Sequence, residues 1–201
     1  MKNIYLIRHG EPDFPQPTKY CLGRTDWPLS LKGRKQAQSL ARFFSERKIE
    51  IIYSSPLQRT RQTAEIIAQN KLAVHLCDDL REIDMGIWDG LTFKQIKQSY
   101  PQEYEERGRD FFNYRVPQGE SFKQLSERVL PAWQQIIASC EKESIIVAHA
   151  GVNRIILATI LQRPLNDIFA IKQPLGCLNI IKQREQGLDV CQLGFVPKAK
   201  E

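Results

Sequence analysis

The sequence predicts an α/β fold, a three-layer α/β/α sandwich in which helices cover both faces of a mostly parallel central sheet. Short runs rich in β-branched residues alternate with helical patterns along the chain, and such alternation favours parallel strands joined by crossover helices. The chain has 201 residues, of which 42% are hydrophobic and 26% charged. This size and composition are typical of a globular domain that folds without disulfides or a structural metal. We therefore expect a single domain over residues 1–201.

The predicted strands are short apolar runs that end at a polar residue or a turn. The first run, Ile4–Ile7, ends at Arg8 and His9. Ligands of an open parallel sheet bind outside the carboxyl ends of its strands, so the polar residues after each run are candidates for a site. The other predicted strands are Ile51–Tyr53, Val74–Cys77, Ser144–Ala148, Leu178–Ile181 and Asp189–Phe195.

Apolar residues at helical spacing predict the helices between these strands. Ser30 is suited to cap the first helix, a second is predicted over Thr60–Gln69, and a mostly apolar third over Gly151–Leu161.

Residues 92–121 lack a strand pattern. The segment is rich in charged and aromatic side chains, and we interpret it as a helical insertion over the site, acting as a lid. Ser121 and Gln124 resemble a capping box that begins the next long helix. Pro131 lies inside this helix, and because proline has no backbone N–H it predicts a kink or a break there.

The charge balance argues against nucleic acid as a partner. The chain has 29 Lys and Arg residues against 23 Asp and Glu residues, a formal net charge of +6, but the two signs are interleaved without a concentrated basic run. Single arginines in apolar surroundings indicate a small anionic ligand instead. We expect a small phosphorylated substrate, and the sequence leaves open whether the chain forms an oligomer.

The cysteines and apolar runs point to a reducing, aqueous compartment. The five cysteines are an odd number without CxxC spacing, which predicts reduced thiols. No signal-peptide core and no run of 18 uncharged apolar residues occurs, so we expect a cytoplasmic protein without a membrane partner. No HxxxH pair or Asp cluster has metal-ligand spacing, and we expect no metal and no cofactor.

Two of the three histidines follow predicted strands. His9 and His149 are about 140 residues apart in sequence, but their imidazoles meet at one sheet edge if the two strands are neighbours in a parallel sheet. A single histidine at a strand end is commonly a hydrogen-bonded structural residue, whereas two at equivalent positions favour a shared site. His75 lacks this context, and we interpret it as structural or exposed.

Arginines accompany these strand ends. Arg8 precedes His9, and Arg59 lies in the first turn of the helix predicted after Pro56, where backbone N–H groups attract anions. A guanidinium group offers a planar fork of donors that suits a phosphate group. Its charge also favours the neutral form of a neighbouring imidazole, and a neutral imidazole is a nucleophile. Arg61 points elsewhere, and we interpret it as a surface or structural residue.

The residues at these strand ends, taken in their order along the chain, resemble the motifs of the histidine phosphatase superfamily, the phosphoglycerate-mutase-like proteins. The resemblance runs from Ile4 to about Ile181. Two departures stand out: the family's second histidine motif, usually HGG, is His149-Ala150-Gly151 here, and Pro15 stands where many members carry an Asn. The other matching segments are Arg8–Glu11 (RHGE), Ser54–Ala64 (SSPLQRTRQTA), Glu82 with Gly86–Gly90, Pro117–Ser121, and the set Gly23, Asp26, Leu29, Ser30 and Gly33.

The resemblance implies a phosphate pocket in which His9 is the nucleophile and becomes phosphorylated. The implied members of this pocket are Arg8, His9, Arg59 and His149.

The resemblance further implies that Glu82 is the proton donor. Asp84, two residues on, is the rival carboxylate for this role. Glu11 either orients pocket groups or forms a structural salt bridge. Gly23 and Thr25 are the expected substrate contacts outside the phosphate pocket.

The implied activity is that of a metal-independent, histidine acid-type phosphatase that works through phosphohistidine. Because cofactor-dependent mutases are usually longer, the compact chain favours a phosphatase over a phosphoglycerate mutase. Pro117–Ser121 and Gln173–Asn179 look most like α-ribazole phosphatases of cobalamin biosynthesis, which predicts α-ribazole 5'-phosphate as substrate; a broad-specificity sugar-phosphate phosphatase is the alternative. The family also has inert members that bind phosphorylated ligands, and the presence of His9 and Glu82 argues against that function.

Overall fold

A six-stranded sheet forms the centre of the computed structural model, which describes residues 1–198. The strands are β1 (Lys2–Arg8), β2 (Ile49–Ser54), β3 (Val74–Leu76), β4 (Glu143–Ala148), β5 (Leu178–Arg184) and β6 (Gly187–Phe195). They lie in the order β3-β2-β4-β1-β5-β6. The first four are parallel, whereas β5 runs antiparallel to both of its neighbours. The predicted α/β class with a mostly parallel sheet is confirmed.

Helices flank this sheet in the described part of the chain. They are α1 (Leu31–Phe44), α2 (Gln58–Ala68), α3 (Phe93–Ser99), α4 (Pro101–Arg109), α5 (Phe122–Ser139) and α6 (Ala150–Ile160). Short 3₁₀ turns at Asp78–Leu80, Gly86–Trp88 and Leu165–Ala170 complete the regular structure.

Helix α5 is continuous through Pro131, so the predicted break is wrong. Its apolar side chains, among them Leu125, Val129 and Trp133, are buried on both sides of the proline. Burial of one apolar face supplies most of the stability of helices in folded proteins. Here that burial outweighs the one hydrogen bond that proline cannot donate.

Both faces of the sheet are buried at β1, and successive residues of this strand alternate between the two faces. Ile4 and Leu6 belong to the hydrophobic core formed with α5 and α6, whereas Tyr5 and Ile7 belong to the core formed with α1 and α2. The two cores give the sandwich its three layers.

Three strand ends meet at one edge of the sheet, because β2, β4 and β1 are neighbours. Arg8 is paired with Ala148 across β1 and β4, and the His9 N–H donates to the Ala148 carbonyl at 3.1 Å. On the other side of β4, the Ser55 N–H donates to the Val147 carbonyl at 3.1 Å. The polar residues that follow these strands are therefore brought together.

Residues 92–121 contain the helices α3 and α4 and the turns that follow them. A capping box of Thr92 and Gln95 begins α3, which satisfies two backbone donors of its first turn. Ile96 and Val116 are buried in the core that also contains α5 and α6. The segment is thus anchored to the body of the molecule, and its function as a lid stays a prediction.

Three further findings concern the described residues as a whole. No helix within residues 1–198 is long and apolar enough to cross a membrane. Each of the five cysteines is a free thiol. The same residues contain no group of three or more His, Cys, Asp or Glu side chains arranged to hold a metal ion.

Candidate active site

His9 follows β1 and presents an unprotonated ring nitrogen. The residue is only 3% exposed. Its Nδ1 lies 2.7 Å from the Gly10 carbonyl oxygen, and because a carbonyl only accepts, Nδ1 carries the ring hydrogen. Nε2 then holds the free lone pair, the form in which an imidazole attacks as a nucleophile.

His149 follows β4 and lies beside His9. The two ring centroids are 5.1 Å apart, with the ring planes inclined at 62°. His149 Nε2 lies 2.9 Å from Ser55 Oγ, which accepts a hydrogen bond from the Leu57 N–H at 3.4 Å. We assign the hydroxyl hydrogen of Ser55 to the bond with Nε2, so that Nδ1 carries the hydrogen of the imidazole.

Burial keeps both imidazoles neutral. It is the largest cause that lowers the pKa of His9 well below its ordinary value, and the charges of Arg59 and Arg8 lower that pKa further. The pKa of His149 is also lowered well below its ordinary value, first by burial and then by Arg59 and His9. The sequence predicts the effect of the arginines, and the structure adds the larger effect of burial.

Arg59 is fully buried in the first turn of α2. Its Nη2 donates to the Gly23 carbonyl at 2.6 Å, and its Nη1 donates to the Thr25 carbonyl at 2.8 Å. Burial lowers the pKa of Arg59 to about 10, so the group stays charged at neutral pH. Gly23 and Thr25 thus belong to the site because their carbonyls bind Arg59. Their contact with a substrate stays a prediction.

Arg8 ends β1 and is held by a backbone carbonyl. Its Nη1 donates to the Gln173 carbonyl at 2.5 Å. The side chain of Gln173 is buried, and its Oε1 accepts from the amides of Asn153 at 3.1 Å and Asn179 at 3.0 Å. This amide cluster fixes Gln173 and, through its carbonyl, the position of Arg8.

Three buried nitrogens at this site lack a hydrogen-bond partner within residues 1–198: Arg8 Nε, Arg59 Nε and His149 Nδ1. Such groups are rare, because an unpaired buried donor costs about 1–3 kcal/mol. Both arginines are close enough to His9 for their charges to lower its pKa. Three unpaired donors on residues around His9 suit an anion such as a phosphoryl group.

Glu82 is the carboxyl group of this site. It is 7% exposed, its Oε2 accepts from the Gly151 N–H at 3.1 Å, and its Oε1 accepts from the Ile83 N–H at 3.0 Å. Burial lowers the pKa of Arg8 and Arg59, and the nearby negative charge of Glu82 partly offsets that effect. The carboxyl group is therefore fixed close to the two guanidinium groups.

The two rival carboxylates have other partners. Asp84 forms an ion pair with Arg24 at 3.4 Å. Glu11 forms an ion pair with Lys32 at 2.7 Å, which is the structural salt bridge that the sequence leaves as one of two possibilities. Glu82 is thus the carboxyl group best placed to act with the arginines.

The His149-Ala150-Gly151 segment keeps the glycine that the site requires. A Cβ atom at Gly151 would lie 2.4 Å from Glu82 Oε1, so a larger residue would displace the carboxyl group. The departure from the HGG motif falls on Ala150, the first residue of α6, and leaves this contact intact.

Other residues singled out in the sequence lie outside the site. Pro15 and His75 are exposed, so the position of Pro15 supplies no polar side chain in place of the family's Asn. Arg61 lies at the surface, where it pairs with Glu65 at 3.5 Å.

Comparison with known proteins decides the family. The model of the histidine phosphatase superfamily (branch 1) matches residues 4–194. The chain belongs to this superfamily. The family prediction from the sequence motifs is confirmed.

Curated relatives of this histidine phosphatase carry the name 6-phosphofructo-2-kinase/fructose-2,6-bisphosphatase. The Caenorhabditis elegans protein is 33% identical over 183 residues, and the Rattus norvegicus protein numbered 3 is 34% identical over 178 residues. These alignments cover 88% and 87% of this chain but 38% and 30% of the relatives. The chain therefore spans about a third of the length of these curated relatives.

Solved structures share the fold over nearly the whole chain. Bacillus stearothermophilus YhfR has a TM-score of 0.89 and 28% identity, covering 96% of this chain and 97% of its own. The α-ribazole phosphatase from Shigella flexneri has a TM-score of 0.89 and 24% identity, covering 99% of both chains. The α-ribazole phosphatases, to which the sequence motifs bear most resemblance, are thus among the structural neighbours.

An aromatic cavity lies beside the Gly23–Thr25 loop, whose carbonyls bind Arg59. Its volume is about 360 Å³, and Arg107 of α4 is its one charged lining residue. The Arg107 guanidinium lies 5.8 Å from the ring centroids of both Trp88 and Phe122. The cavity also borders Leu22, the neighbour of Gly23 in sequence. Its aromatic lining residues are Tyr20, Trp88, Phe93, Tyr104, Phe122 and Phe169.

Sequence reasoning missed the residues that support the pocket of this histidine phosphatase. Ser55 belongs to a matched motif, but its bond to His149 depends on the pairing of β2 with β4. Asp89 belongs to the Gly86–Gly90 motif, and the sequence assigns it no partner. The carbonyl of Gln173 has no local sequence signal at all.

Proposed function

We propose that this protein is a phosphomonoesterase that acts through a phosphohistidine on His9. The observation that carries the proposal is the set of unpaired donors on Arg8, Arg59 and His149 beside the free Nε2 of His9. A phosphoryl group bound there would satisfy the donors and bring its phosphorus within reach of Nε2. Membership of the histidine phosphatase superfamily supports phosphatase activity independently.

The first step forms the bond between His9 Nε2 and phosphorus and breaks the ester P–O bond. Arg8 and Arg59 neutralise the charge on the equatorial oxygens, and His149 donates its N–H to one of them. Glu82, protonated in the substrate complex, gives its proton to the departing oxygen, so that the alcohol leaves uncharged.

The second step hydrolyses the phosphohistidine. Glu82, now ionised, takes a proton from the water whose oxygen attacks phosphorus. The P–N bond breaks, its electron pair returns to His9 Nε2, and inorganic phosphate leaves. Glu82 is protonated again and ready for the next substrate. The two arginines supply the positive charge in both steps, which supports a metal-independent reaction.

We expect rapid denaturation at alkaline pH during turnover to trap one phosphate per chain on the peptide that contains His9. The label should be labile in acid and stable in alkali, as the N–P bond of phosphohistidine is. His75→Ala, at an exposed histidine, should label fully, whereas His9→Ala should not label. Chelators should leave activity unchanged. Phosphate release by His9→Ala at the wild-type rate, or chelator inactivation reversed by a divalent ion, would contradict this mechanism.

We infer α-ribazole 5'-phosphate as the substrate from the aromatic cavity. The leaving group of this ester is a nucleoside with a planar benzimidazole base, and planar rings stack well on aromatic side chains and on a guanidinium group. A cavity of about 360 Å³ with Trp88, Phe122 and Arg107 in its lining suits such a base. The structural likeness to α-ribazole phosphatases fits this choice.

A sugar bisphosphate is the second candidate. Arg107 forms no ion pair within residues 1–198, and burial lowers its pKa. A second phosphate on the substrate would provide the anionic partner. The names of the curated relatives, at 33–34% identity, also contain a fructose-2,6-bisphosphatase activity.

A phosphate-release panel separates these candidates. It contains α-ribazole 5'-phosphate, fructose 2,6-bisphosphate, sugar monophosphates, nucleotides and 3-phosphoglycerate, the last with product analysis for phosphoryl transfer. We expect kcat/KM for the α-ribazole ester to exceed that for sugar monophosphates by up to about tenfold, near the upper value of one stacked aromatic contact. The second candidate would be favoured if kcat/KM is highest for fructose 2,6-bisphosphate and if Arg107→Gln selectively lowers that value. Transfer without release would identify a mutase.

A further inference from the structure

The Asp89 carboxylate binds the backbone of one loop of the active site, Gly23–Thr25. Its Oδ1 accepts from the Gly23 N–H at 2.7 Å, and its Oδ2 accepts from the N–H groups of Arg24 and Thr25 at 2.7 Å each. Hydrogen bonds to an ionised carboxylate are about twice as strong as those between neutral groups. Asp89 therefore fixes three consecutive backbone amides, 64 to 66 residues away in sequence.

The opposite side of this loop holds Arg59. The Gly23 and Thr25 carbonyls accept from the guanidinium group at 2.6 and 2.8 Å. The peptide unit between Gly23 and Arg24 thus donates to Asp89 and accepts from Arg59. A hydrogen bond on one side of a peptide unit polarises it and strengthens the bond on the other side. The charge of Asp89 therefore supports the Arg59 contact through one peptide unit.

We infer that Asp89 is a positioning residue for Arg59: it fixes the Gly23–Thr25 loop, and the two carbonyls then set the plane of the guanidinium group. The inference rests on the proposed phosphatase function. Arg59 Nε has no partner within residues 1–198, so the loop carbonyls orient the guanidinium group before substrate binds. A displacement of about 1 Å in a catalytic group lowers rates by up to about 100-fold.

A double-mutant cycle tests the inference. Asp89→Asn keeps the size of the side chain but removes its charge and turns one acceptor oxygen into an NH₂ group that faces N–H donors. We expect kcat on p-nitrophenyl phosphate to fall at least about tenfold in the wild-type background. In the Arg59→Lys background the fall should be less than about twofold, because the group that Asp89 positions is gone. Equal falls in both backgrounds would overturn the inference.

Asp110→Asn is the matched control. Its carboxylate also accepts a backbone hydrogen bond, from the Asn113 N–H at 3.2 Å, but it lies in the segment that follows α4. We expect no change in kcat from this variant. Thermal unfolding of each variant accompanies the assays, since a purely structural Asp89 would lower stability and activity alike, whether residue 59 is Arg or Lys.

Amide hydrogen exchange in the wild-type protein gives a test that needs no variant. Inorganic phosphate bound at Arg59 should slow exchange of the Arg24 and Thr25 amides at least about threefold, because ligand, guanidinium and loop stabilise one another. The Asn113 amide should not change. Phosphate binding without slowing at Arg24 and Thr25 overturns the inference. If the wild-type enzyme forms no phosphohistidine, the proposed function fails instead.

Discussion

Arg59→Lys is expected to lower kcat/KM for any phosphomonoester by about 100- to 1000-fold, the cost of removing one donor that stabilises a transition-state oxyanion. The Arg59 guanidinium binds two backbone carbonyls at 2.6 and 2.8 Å and keeps Nε unpaired for the phosphoryl group. A lysine ammonium is a point charge at the end of a flexible stem, so it cannot reproduce this planar arrangement. The loss should appear in single-turnover phosphorylation of His9 as well as in steady-state turnover.

Arg61→Lys is the control for this prediction. Arg61 lies on the same helix, but its side chain is 46% exposed and pairs with Glu65 at 3.5 Å. Exposed ion pairs contribute little to stability, so we expect kcat/KM to stay within about twofold of the wild-type value. Comparable losses in the two variants would show that the effect does not come from the buried geometry of Arg59.

The direction of the last two strands shows one limit of reading the fold from sequence. The alternation of strands and helices predicts the parallel part of the sheet, because each crossover needs a helix. β5 ends at Arg184 and β6 begins at Gly187, so two residues join them. A connection this short permits only an antiparallel pair, since parallel strands need a crossover of about a dozen residues or more. The predicted bounds, Leu178–Ile181 and Asp189–Phe195, leave seven residues between the strands, so this connection length already favours an antiparallel pair.

The site divides in a similar way into a predictable and an unpredictable part. The proximity of His9 and His149 can be predicted from the sequence because each directly follows a predicted strand. The strand order then brings the two together. The hydrogen bond from the Gly151 N–H to the Glu82 carboxyl group joins two segments that are 69 residues apart in sequence. No local pattern specifies such a contact, because its geometry depends on how α6 and the loop after β3 pack. Supporting contacts of this kind appear only in the folded structure.

Glu82→Gln is expected to lower turnover of an alkyl phosphate by about 10²- to 10⁴-fold, the usual contribution of a general acid or base. The buried carboxyl group is held by the Gly151 and Ile83 amides at 3.1 and 3.0 Å. Glutamine retains one oxygen for these amides but cannot release a proton to a leaving alkoxide. Thermal unfolding of the variant checks that the mispaired NH₂ group has not disrupted the fold.

Leaving-group dependence separates this role of Glu82 from a general loss of activity. p-Nitrophenolate is stable as an anion and departs without a proton, so the initial burst from p-nitrophenyl phosphate reports His9 phosphorylation alone. We expect the burst rate of Glu82→Gln to stay within a few-fold of wild type while hydrolysis of the phosphohistidine slows, because the same carboxylate activates the attacking water. Asp84→Asn is the matched variant, since Asp84 pairs with Arg24 at 3.4 Å, and it should show no such selectivity. If Asp84→Asn loses alkyl phosphate turnover selectively and Glu82→Gln does not, Asp84 is the general acid, and the ion pair with Arg24 must open during the reaction.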